Sequence, residues 1–252
     1  MKTQSIELAK QMQAELGVSV NILISKDYES LIEAMKNHKI DFALFSALTY
    51  VYAEERVHAK VLLKKVYFDP FYYSALIARK DSKLKNLSQL KGKRVVFVDS
   101  HSTSGFLYPQ VMLLKKGIDQ KIFGKVLFSG NHSRSIEMLE NNEADVAAVF
   151  SDNAKGTNGA WTKFSNKPNI KYNVIWMSEP IPSDPFAVRQ DFYDKYPKFT
   201  HTLMMSLIDI FQKNKESKAF SEILGNQDLM PATSRQYDPV REMVKALNPQ
   251  IK

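Results

Sequence analysis

The chain has 252 residues, of which 44% are hydrophobic and 25% charged, a balance typical of a globular protein rather than a disordered one. It contains no cysteine, which excludes disulfides, thiolate catalysis and zinc–thiolate sites. The formal net charge is +8, but the lysines are scattered and no nucleic-acid-binding motif is present. Solvated surface charge is therefore favoured over a nucleic-acid partner. No apolar run approaches the roughly 18 residues that a transmembrane helix requires.

The first third of the chain alternates predicted helices and strands. Helices are predicted over residues 5–16 and 27–37 and from residue 46, and strands over 18–24, 40–45 and 72–79. This alternation predicts an α/β protein with a largely parallel sheet that has helices on both faces. An α/β lobe of this kind usually opens with a strand, so we expect a leading strand and an export signal upstream of the given sequence.

A second α/β pattern follows a short helix and a turn at Gly92. Strands are predicted over 94–98, 125–129, 144–150 and 172–178, and helices over 104–116, 133–141, 193–213, 216–224 and 238–247. Two such patterns separated by a proline-rich return, "EPIPSDP", predict two lobes that face each other across a cleft. We expect residues 1–82 to form the first part of lobe 1, residues 83–179 to form lobe 2, and residues 180–252 to return to lobe 1 with the C-terminal helices.

Hydroxylated residues stand where the strand "RVVFV" gives way to the next helix. In "STSG", Ser102, Thr103 and Ser104 precede Gly105, which would let the backbone approach a bound group closely. A helix N-terminus exposes unpaired N–H groups and a partial positive charge, so it can bind an anion. Taken alone, the motif favours a capped helix without a ligand over an anion site.

Two further strand ends carry polar side chains. His132 follows the strand over 125–129, and Asp152 follows the strand over 144–150. In open α/β sheets, ligands bind beyond the carboxyl ends of the strands. We therefore expect the STSG turn, His132 and Asp152 to lie at one edge of the sheet, although a lone histidine is more often a surface or capping residue.

The same residue types could form a hydrolytic triad, but the G-x-S-x-G elbow is absent and the serines stand at a helix start. The five histidines show no paired spacing, and no metal-binding or nucleotide-binding motif is present. We therefore expect no metal and no cofactor, and we interpret the serines as groups that bind the oxygens of a ligand.

Four stretches of the chain resemble one family: "DFALFSALTYVYA", "YYSALIARKDSKLKNLSQLKGKRVVFVDSHSTSGFLYP", "SGNHSRSIEMLENNEADVAA" and "IPSDPFAVR". They are similar, in the same order, to the phosphate/phosphonate-binding (PhnD-like) proteins of bacterial ABC importers. The resemblance extends from about residue 5 to residue 247. It implies a two-lobed type II periplasmic binding protein fold with a ligand cleft between the lobes.

The resemblance also implies how the phosphorus group is held. In the family, hydroxyls and N–H groups of the STS turn and a histidine hold this group, which matches Ser102, Thr103, Ser104 and His132. A family tyrosine on the strand that returns through the first lobe matches Tyr72.

Further positions match residues that surround the rest of the ligand. Carboxylates that receive the amine of aminoalkyl phosphonates in some members align with Asp152 and Asp184. Some members place a ligand-contacting tyrosine where this chain has Phe45, which departs from the pattern. Lobe closure would bring Phe45, Tyr50 and Tyr72 over the ligand.

These observations predict a non-enzymatic, extracytoplasmic solute-binding protein for a small phosphonate, phosphite or phosphate, although no export signal is recognised in this sequence. We expect a monomer whose partner is an ABC permease or a sensor protein, with no nucleic-acid partner. The alternatives are a ligand-sensing periplasmic domain of a signalling protein, a phosphoesterase, and a degenerate binding protein that has lost its ligand.

Overall fold

The computed structural model describes residues 2–66, 70–214 and 228–247. Its helices are α1 (Lys2–Leu16), α2 (Tyr28–Lys36), α3 (Ala47–Val57), α4 (Tyr108–Lys115), α5 (His132–Glu140), α6 (Ala160–Lys163), α7 (Gln190–Lys195), α8 (Pro197–Lys213) and α9 (Asp238–Leu247). Its strands are β1 (Phe42–Leu44), β2 (Ala59–Val66), β3 (Phe71–Arg79), β4 (Arg94–Phe97), β5 (Lys125–Phe128), β6 (Val146–Ser151), β7 (Tyr172–Met177), β8 (Ile181–Pro182), β9 (Pro185–Arg189) and β10 (Asp228–Pro231). The helix predicted over 216–224 lies outside the described residues. Within the described part of the chain, no helix has the length and apolar character needed to cross a membrane.

The chain forms two compact units, and their boundaries differ from the predicted ones. Unit 1 comprises residues 1–70 and 183–236, and unit 2 comprises residues 71–182 and 237–252. The first crossing precedes β3 instead of following it, because β3 pairs with β6 and β7 of unit 2. A further crossing places α9, which was expected in the first lobe, in unit 2.

The sheet of unit 1 has four strands in the order β1-β9-β2-β10, and every neighbouring pair is antiparallel. The prediction of a largely parallel sheet is therefore wrong for this unit. The strands β1 and β2 run in the same direction, as the β-α-β pattern requires, but the returning strand β9 lies between them. Packing of α1 and α8 on this sheet buries an apolar cluster that includes Leu8, Leu63 and Leu203.

The strand predicted over residues 18–24 does not form. These residues adopt no regular secondary structure, and they pair with no strand in the described part of the chain. A strand without a partner leaves its backbone N–H and C=O groups unpaired, so the alternating pattern alone does not suffice. The segment instead lines an apolar cavity of about 760 Å³ inside unit 1, together with residues of α1, α8 and β1.

The sheet of unit 2 has six strands, of which five follow the order β5-β4-β6-β3-β7, while β8 pairs with the start of β3. The strands β5, β4 and β6 are parallel neighbours, and β3 and β7 are antiparallel additions. Apolar clusters cover both faces of this sheet, one around Phe97 and Met112 and the other around Ile136 and Trp161. The prediction of a parallel sheet with helices on both faces is thus correct for the three strands that lead to the polar strand ends.

Candidate functional site

The STSG motif forms a tight helical entry after β4. Ser102 caps the entry, because its hydroxyl accepts a hydrogen bond from the Gly105 N–H at 3.1 Å. Residues Thr103–Leu107 form one wide π-helical turn, which continues directly into α4. Ser102, Thr103 and Ser104 are each at most 3% exposed. Three hydroxylated residues are therefore held in a rigid turn at the start of a helix.

Two neighbouring residues fix the shape of this turn. A side chain at Gly105 would place its Cβ atom 2.4 Å from Cγ2 of Val98, so only glycine fits beside the end of β4. From the adjacent strand β3, the buried Ser74 hydroxyl donates a hydrogen bond to the Ser104 carbonyl at 2.6 Å. The Ser104 hydroxyl itself makes no hydrogen bond within the described residues, so it is available to an external acceptor or donor.

The sheet topology brings the predicted strand ends to one edge of unit 2. Because β5, β4 and β6 are adjacent and parallel, their carboxyl ends lie side by side. The Ser129 N–H donates to the Phe97 carbonyl at 3.0 Å, and the Gly130 N–H donates to the Val98 carbonyl at 2.8 Å. The segment that precedes His132 is therefore tied directly to the segment that precedes the STSG turn.

His132 is the first residue of α5, which Asn131 caps through its side chain. Its Nδ1 atom is buried and has no hydrogen-bond partner among the described residues, while its ring meets Phe150 edge-on at 5.0 Å. Burial, followed by the positive charge of Lys163, lowers the pKa of His132 to about 4. The imidazole is therefore neutral at pH 7, with one nitrogen that can donate and one that can accept a hydrogen bond. A buried polar atom without a partner calls for an explanation, and a bound ligand supplies one.

Asp152 and Tyr72 lie at the same edge of this sheet. Asp152 follows β6, and its N–H donates to the Asn158 carbonyl at 2.9 Å. Burial raises the pKa of Asp152, and the positive charge of Lys163 partly opposes this effect. Because β3 is antiparallel to β6, its first residues, including the buried Tyr72, lie beside the end of β6. Tyr72 thus belongs to unit 2, whereas the family resemblance implied the first lobe.

The remaining predicted site residues belong to unit 1. Phe45 is buried directly after β1. Tyr50 is buried in α3, and its hydroxyl donates to Oε1 of Glu54 at 2.7 Å, so this hydroxyl is already engaged within the unit. Burial is the main cause that raises the pKa of Tyr50. Asp184 precedes β9, and its Oδ2 atom lies 3.6 Å from Nζ of Lys65.

The described residues at this edge of unit 2 include groups that can bind an oxyanion, and they show no hydrogen-bonded histidine–serine pair. The ring nitrogens of His132 make no hydrogen bond to a serine hydroxyl within residues 70–214. A nucleophilic serine requires such a contact with its base. Over the described ranges, no group of three or more histidine, aspartate or glutamate side chains could hold a metal ion.

Sequence reasoning missed several residues that shape these positions. Ser74 supports the STSG turn, and its N–H donates to the Ser178 hydroxyl at 2.9 Å. A serine within the apolar strand "YYSALIAR" was the available signal. Two lysines also gave no signal, because lysines are scattered throughout the sequence. They are Lys65, whose Nζ lies 3.6 Å from Asp184, and Lys163, whose charge opposes the rise in the pKa of Asp152.

A family model described as "ABC transporter, phosphonate, periplasmic substrate-binding protein" matches residues 1–237. This chain belongs to that family. Membership assigns substrate binding for an ABC transporter instead of catalysis, with an extracytoplasmic location and permease partners. It confirms the family that the four sequence stretches indicated, and it gives no support to the phosphoesterase or sensor alternatives.

Curated relatives and solved structures agree with this membership. The chain is 30% identical over 251 residues to the phosphonates-binding periplasmic protein of Escherichia coli, covering 96% of this chain and 71% of the relative. It is 27% identical over 262 residues to the phosphate-import protein PhnD of Mycolicibacterium smegmatis, covering 96% and 80% of the two chains. Its fold matches that of PhnD1 from Prochlorococcus marinus, solved in complex with methylphosphonate, with a TM-score of 0.81, 21% identity and coverage of 98% and 93%. These similarities confirm the type II periplasmic binding protein fold.

Proposed function

We propose that this protein binds a small phosphorus oxyanion or organophosphonate on unit 2 and carries it to the permease of an ABC importer. The ligand oxygens would accept hydrogen bonds from the hydroxyls and N–H groups of the STSG turn and from His132. The protein would act as a monomer and would have no nucleic-acid partner. Relatives whose names specify phosphonates and phosphate support this ligand class.

One observation carries the proposal: buried hydroxyls and an unpartnered buried nitrogen meet at one sheet edge. The Ser104 hydroxyl and Nδ1 of His132 make no hydrogen bond within the described residues. Unpaired buried polar groups destabilise a fold by about 1–3 kcal/mol each, so their retention favours a ligand that satisfies them. The helix start adds a positive end that neutralises part of the ligand charge without a cationic side chain in the turn.

A thermal-shift screen and calorimetric titration test this proposal. The probes are phosphate, phosphite, methylphosphonate and 2-aminoethylphosphonate, and sulfate is the control. A ligand that binds only the folded state at about 100 times its Kd contributes about 2.7 kcal/mol, which raises Tm by roughly 5 °C in a chain of this size. Sulfate, which is also tetrahedral, tests whether the site recognises phosphorus oxyanions specifically. Absence of a shift with every phosphorus ligand would contradict the proposed function.

The Ser104→Ala variant should weaken binding of the preferred phosphorus ligand by about 10–100-fold, because a hydrogen bond to a charged ligand contributes about 1.5–3 kcal/mol. The unfolding free energy should change little, since this hydroxyl makes no hydrogen bond within the described residues. Calorimetric titration measures the affinity. Ser88→Ala is the matched control, because this exposed serine lies in the turn Leu87–Leu90, away from the site edge. Equal affinity in the two variants would remove Ser104 from the site.

A further inference from the structure

Basic residues that are scattered in the sequence gather at one end of the sheet of unit 2. Residues 83–94 contain four lysines and one arginine without an acidic residue, and residues 114–125 contain four lysines and one aspartate. The two segments meet where β4 and β5 begin, at the end of the sheet opposite to the STSG turn. We infer that this end of unit 2 binds the anionic surface of a lipid bilayer. The inference concerns a second surface and does not depend on which ligand the STSG turn binds.

Backbone contacts hold the two segments together. The Gly92 N–H donates to the Ile122 carbonyl at 2.7 Å, and the Gly124 N–H donates to the Lys93 carbonyl at 2.9 Å. A Cβ atom at Gly124 would lie 2.5 Å from the Gly92 carbonyl oxygen, so this close approach requires glycine. Lys125 follows directly as the first residue of β5. The lysines of both segments are therefore presented side by side.

The end of α4 belongs to the same surface. Lys115 is the last residue of α4, and Lys116 is its C-cap. Ile118, which follows them, packs against the apolar cluster that contains Leu90 and Phe123. Because Leu90 and Phe123 are buried residues of the two basic segments, the end of α4 is fixed beside both. The basic end of unit 2 comprises Lys91, Lys93, Lys115, Lys116, Lys121 and Lys125.

Carboxylates of the described residues neutralise little of the charge at the basic end. Asp145 lies beside it, but its carboxylate accepts hydrogen bonds from the Arg94 guanidinium at 2.7 and 3.1 Å. Asp119 reaches Nζ of Lys121 at 4.0 Å, and the Lys121 side chain is 91% exposed. An ion pair as exposed as this one contributes little. The other five lysines form no ion pair within the described ranges, so the basic end keeps most of its positive charge.

Two exposed aliphatic side chains stand among these lysines. Leu114, next to Lys115, is 55% exposed, and Ile122, next to Lys121, is 39% exposed. Lysines that surround exposed apolar side chains are typical of proteins that bind an anionic bilayer, because the lysines attract the headgroups and the apolar groups enter the interface. A nucleic acid or a free anion would engage the lysines alone. The aliphatic pair therefore favours a bilayer.

The position of the basic end is compatible with ligand binding. Strand β4 begins at the basic end, and the STSG turn follows the other end of this strand. A bilayer bound at the basic end would therefore leave the STSG turn uncovered. Because family membership assigns a membrane permease as the partner, binding to the bilayer would concentrate the protein beside that permease.

Vesicle sedimentation at low and at physiological ionic strength tests the inference. The probes are vesicles of phosphatidylcholine alone and vesicles that also contain about one-third phosphatidylglycerol, an anionic lipid. We expect binding to the anionic vesicles to be at least about tenfold tighter than binding to the neutral ones. Binding should weaken as salt is added, because salt screens the surface charges.

A fourfold variant removes exposed charges of the basic end: it carries Lys115→Gln, Lys116→Gln, Lys121→Gln and Lys125→Gln. Each lysine near an anionic surface strengthens membrane binding about fivefold, so this variant should bind the anionic vesicles about 100-fold more weakly. Replacing the two exposed aliphatic side chains by serine should weaken binding by about tenfold and should leave its salt dependence unchanged.

The matched control removes four exposed lysines of unit 1 and therefore the same total charge: it carries Lys10→Gln, Lys26→Gln, Lys195→Gln and Lys198→Gln. This control should bind the anionic vesicles within about threefold of the unmodified protein. Thermal unfolding checks that each variant is folded, and calorimetric titration should give every variant the same affinity for the phosphorus ligand.

Two outcomes would overturn the inference. An equal loss of vesicle binding in both fourfold variants would show that net charge alone drives the binding. Failure of the unmodified protein to bind the anionic vesicles would leave an acidic protein surface as the partner of these lysines. Neither outcome bears on the proposed function, because the phosphorus ligand is titrated separately.

Discussion

Gly105→Ala is expected to destabilise unit 2 and to weaken oxyanion binding in the same variant. The new Cβ atom would lie 2.4 Å from Cγ2 of Val98, 2.6 Å from its Cβ and 2.8 Å from Oγ of Ser102. Val98 is a fully buried, β-branched residue, so it cannot rotate away from the clash. Inserting a methyl group into a closely packed interior typically destabilises by about 1–3 kcal/mol. The displaced Ser102 hydroxyl also caps the turn, so the binding groups should move with it.

Urea-induced unfolding and calorimetric titration of a phosphorus ligand measure the two effects of Gly105→Ala. Gly117→Ala is the control, because Gly117 has a φ of +66° but no atom within 4 Å of an added Cβ. Gly117→Ala should lower the free energy of unfolding by about 1 kcal/mol, because alanine disfavours a positive φ, and it should leave ligand binding unchanged. If Gly105→Ala is no less stable than Gly117→Ala and binds equally well, the turn is looser than the structure indicates.

Acidification should destabilise the ligand-free protein through His132. The pKa of this residue is 6.5 in its unperturbed form and about 4 in the folded protein, chiefly because the ring is buried. Below pH 6.5 the unfolded chain takes up a proton that the folded protein accepts only near pH 4, so stability falls across this interval. This difference between the two pKa values lowers the free energy of unfolding by roughly 3 kcal/mol once His132 is protonated in both the folded and the unfolded state.

The contribution of His132 can be isolated by comparing the unmodified protein with His132→Gln. The unfolding free energy of each is measured at about pH 7 and at about pH 4.5. Glutamine cannot be protonated, so the variant should lose less stability on acidification, by about 2 kcal/mol or more. Other titrating groups affect both proteins and cancel in the comparison. The same acid sensitivity in both proteins would show that His132 is accessible to protons in the folded state.

The sheet edge of unit 2 that carries the STSG turn, His132 and Asp152 was predictable, because each of these features stands close in sequence to the end of a strand. Each of β4, β5 and β6 is followed within one short loop by its polar residues, and the β-α-β pattern places these strands in one parallel set. The serine within the apolar strand "YYSALIAR" marked Ser74 as unusual, but its contact with the STSG turn was not predictable, because Ser74 and Ser104 are 30 residues apart in the chain. The ion pair between Lys65 and Asp184 was not predictable for a similar reason, because the two residues are 119 positions apart in the chain (184 − 65).

The predicted unit boundaries failed at the antiparallel strands. A sequence pattern shows that residues 72–79 form a strand, but it does not show which sheet receives that strand. In the structure, β3 pairs with β6 and β7, and therefore belongs to unit 2. The prediction of a strand over residues 18–24 was wrong for a related reason. Alternating apolar residues indicate which face of a strand would be buried, but they do not supply a hydrogen-bonded neighbouring strand.

The sequence by itself determined the family, the α/β class and the turn that presents Ser102, Thr103 and Ser104, because these depend on residues close together in the chain. The tertiary structure alone decided that β9 lies between β1 and β2, that Tyr72 belongs to the same unit as the STSG turn, and that Lys65 forms an ion pair with Asp184. Strand order and ion pairing across a sheet join segments that are distant in sequence. The free energy of such contacts depends on burial and on backbone hydrogen bonds, and a local sequence pattern predicts neither of them.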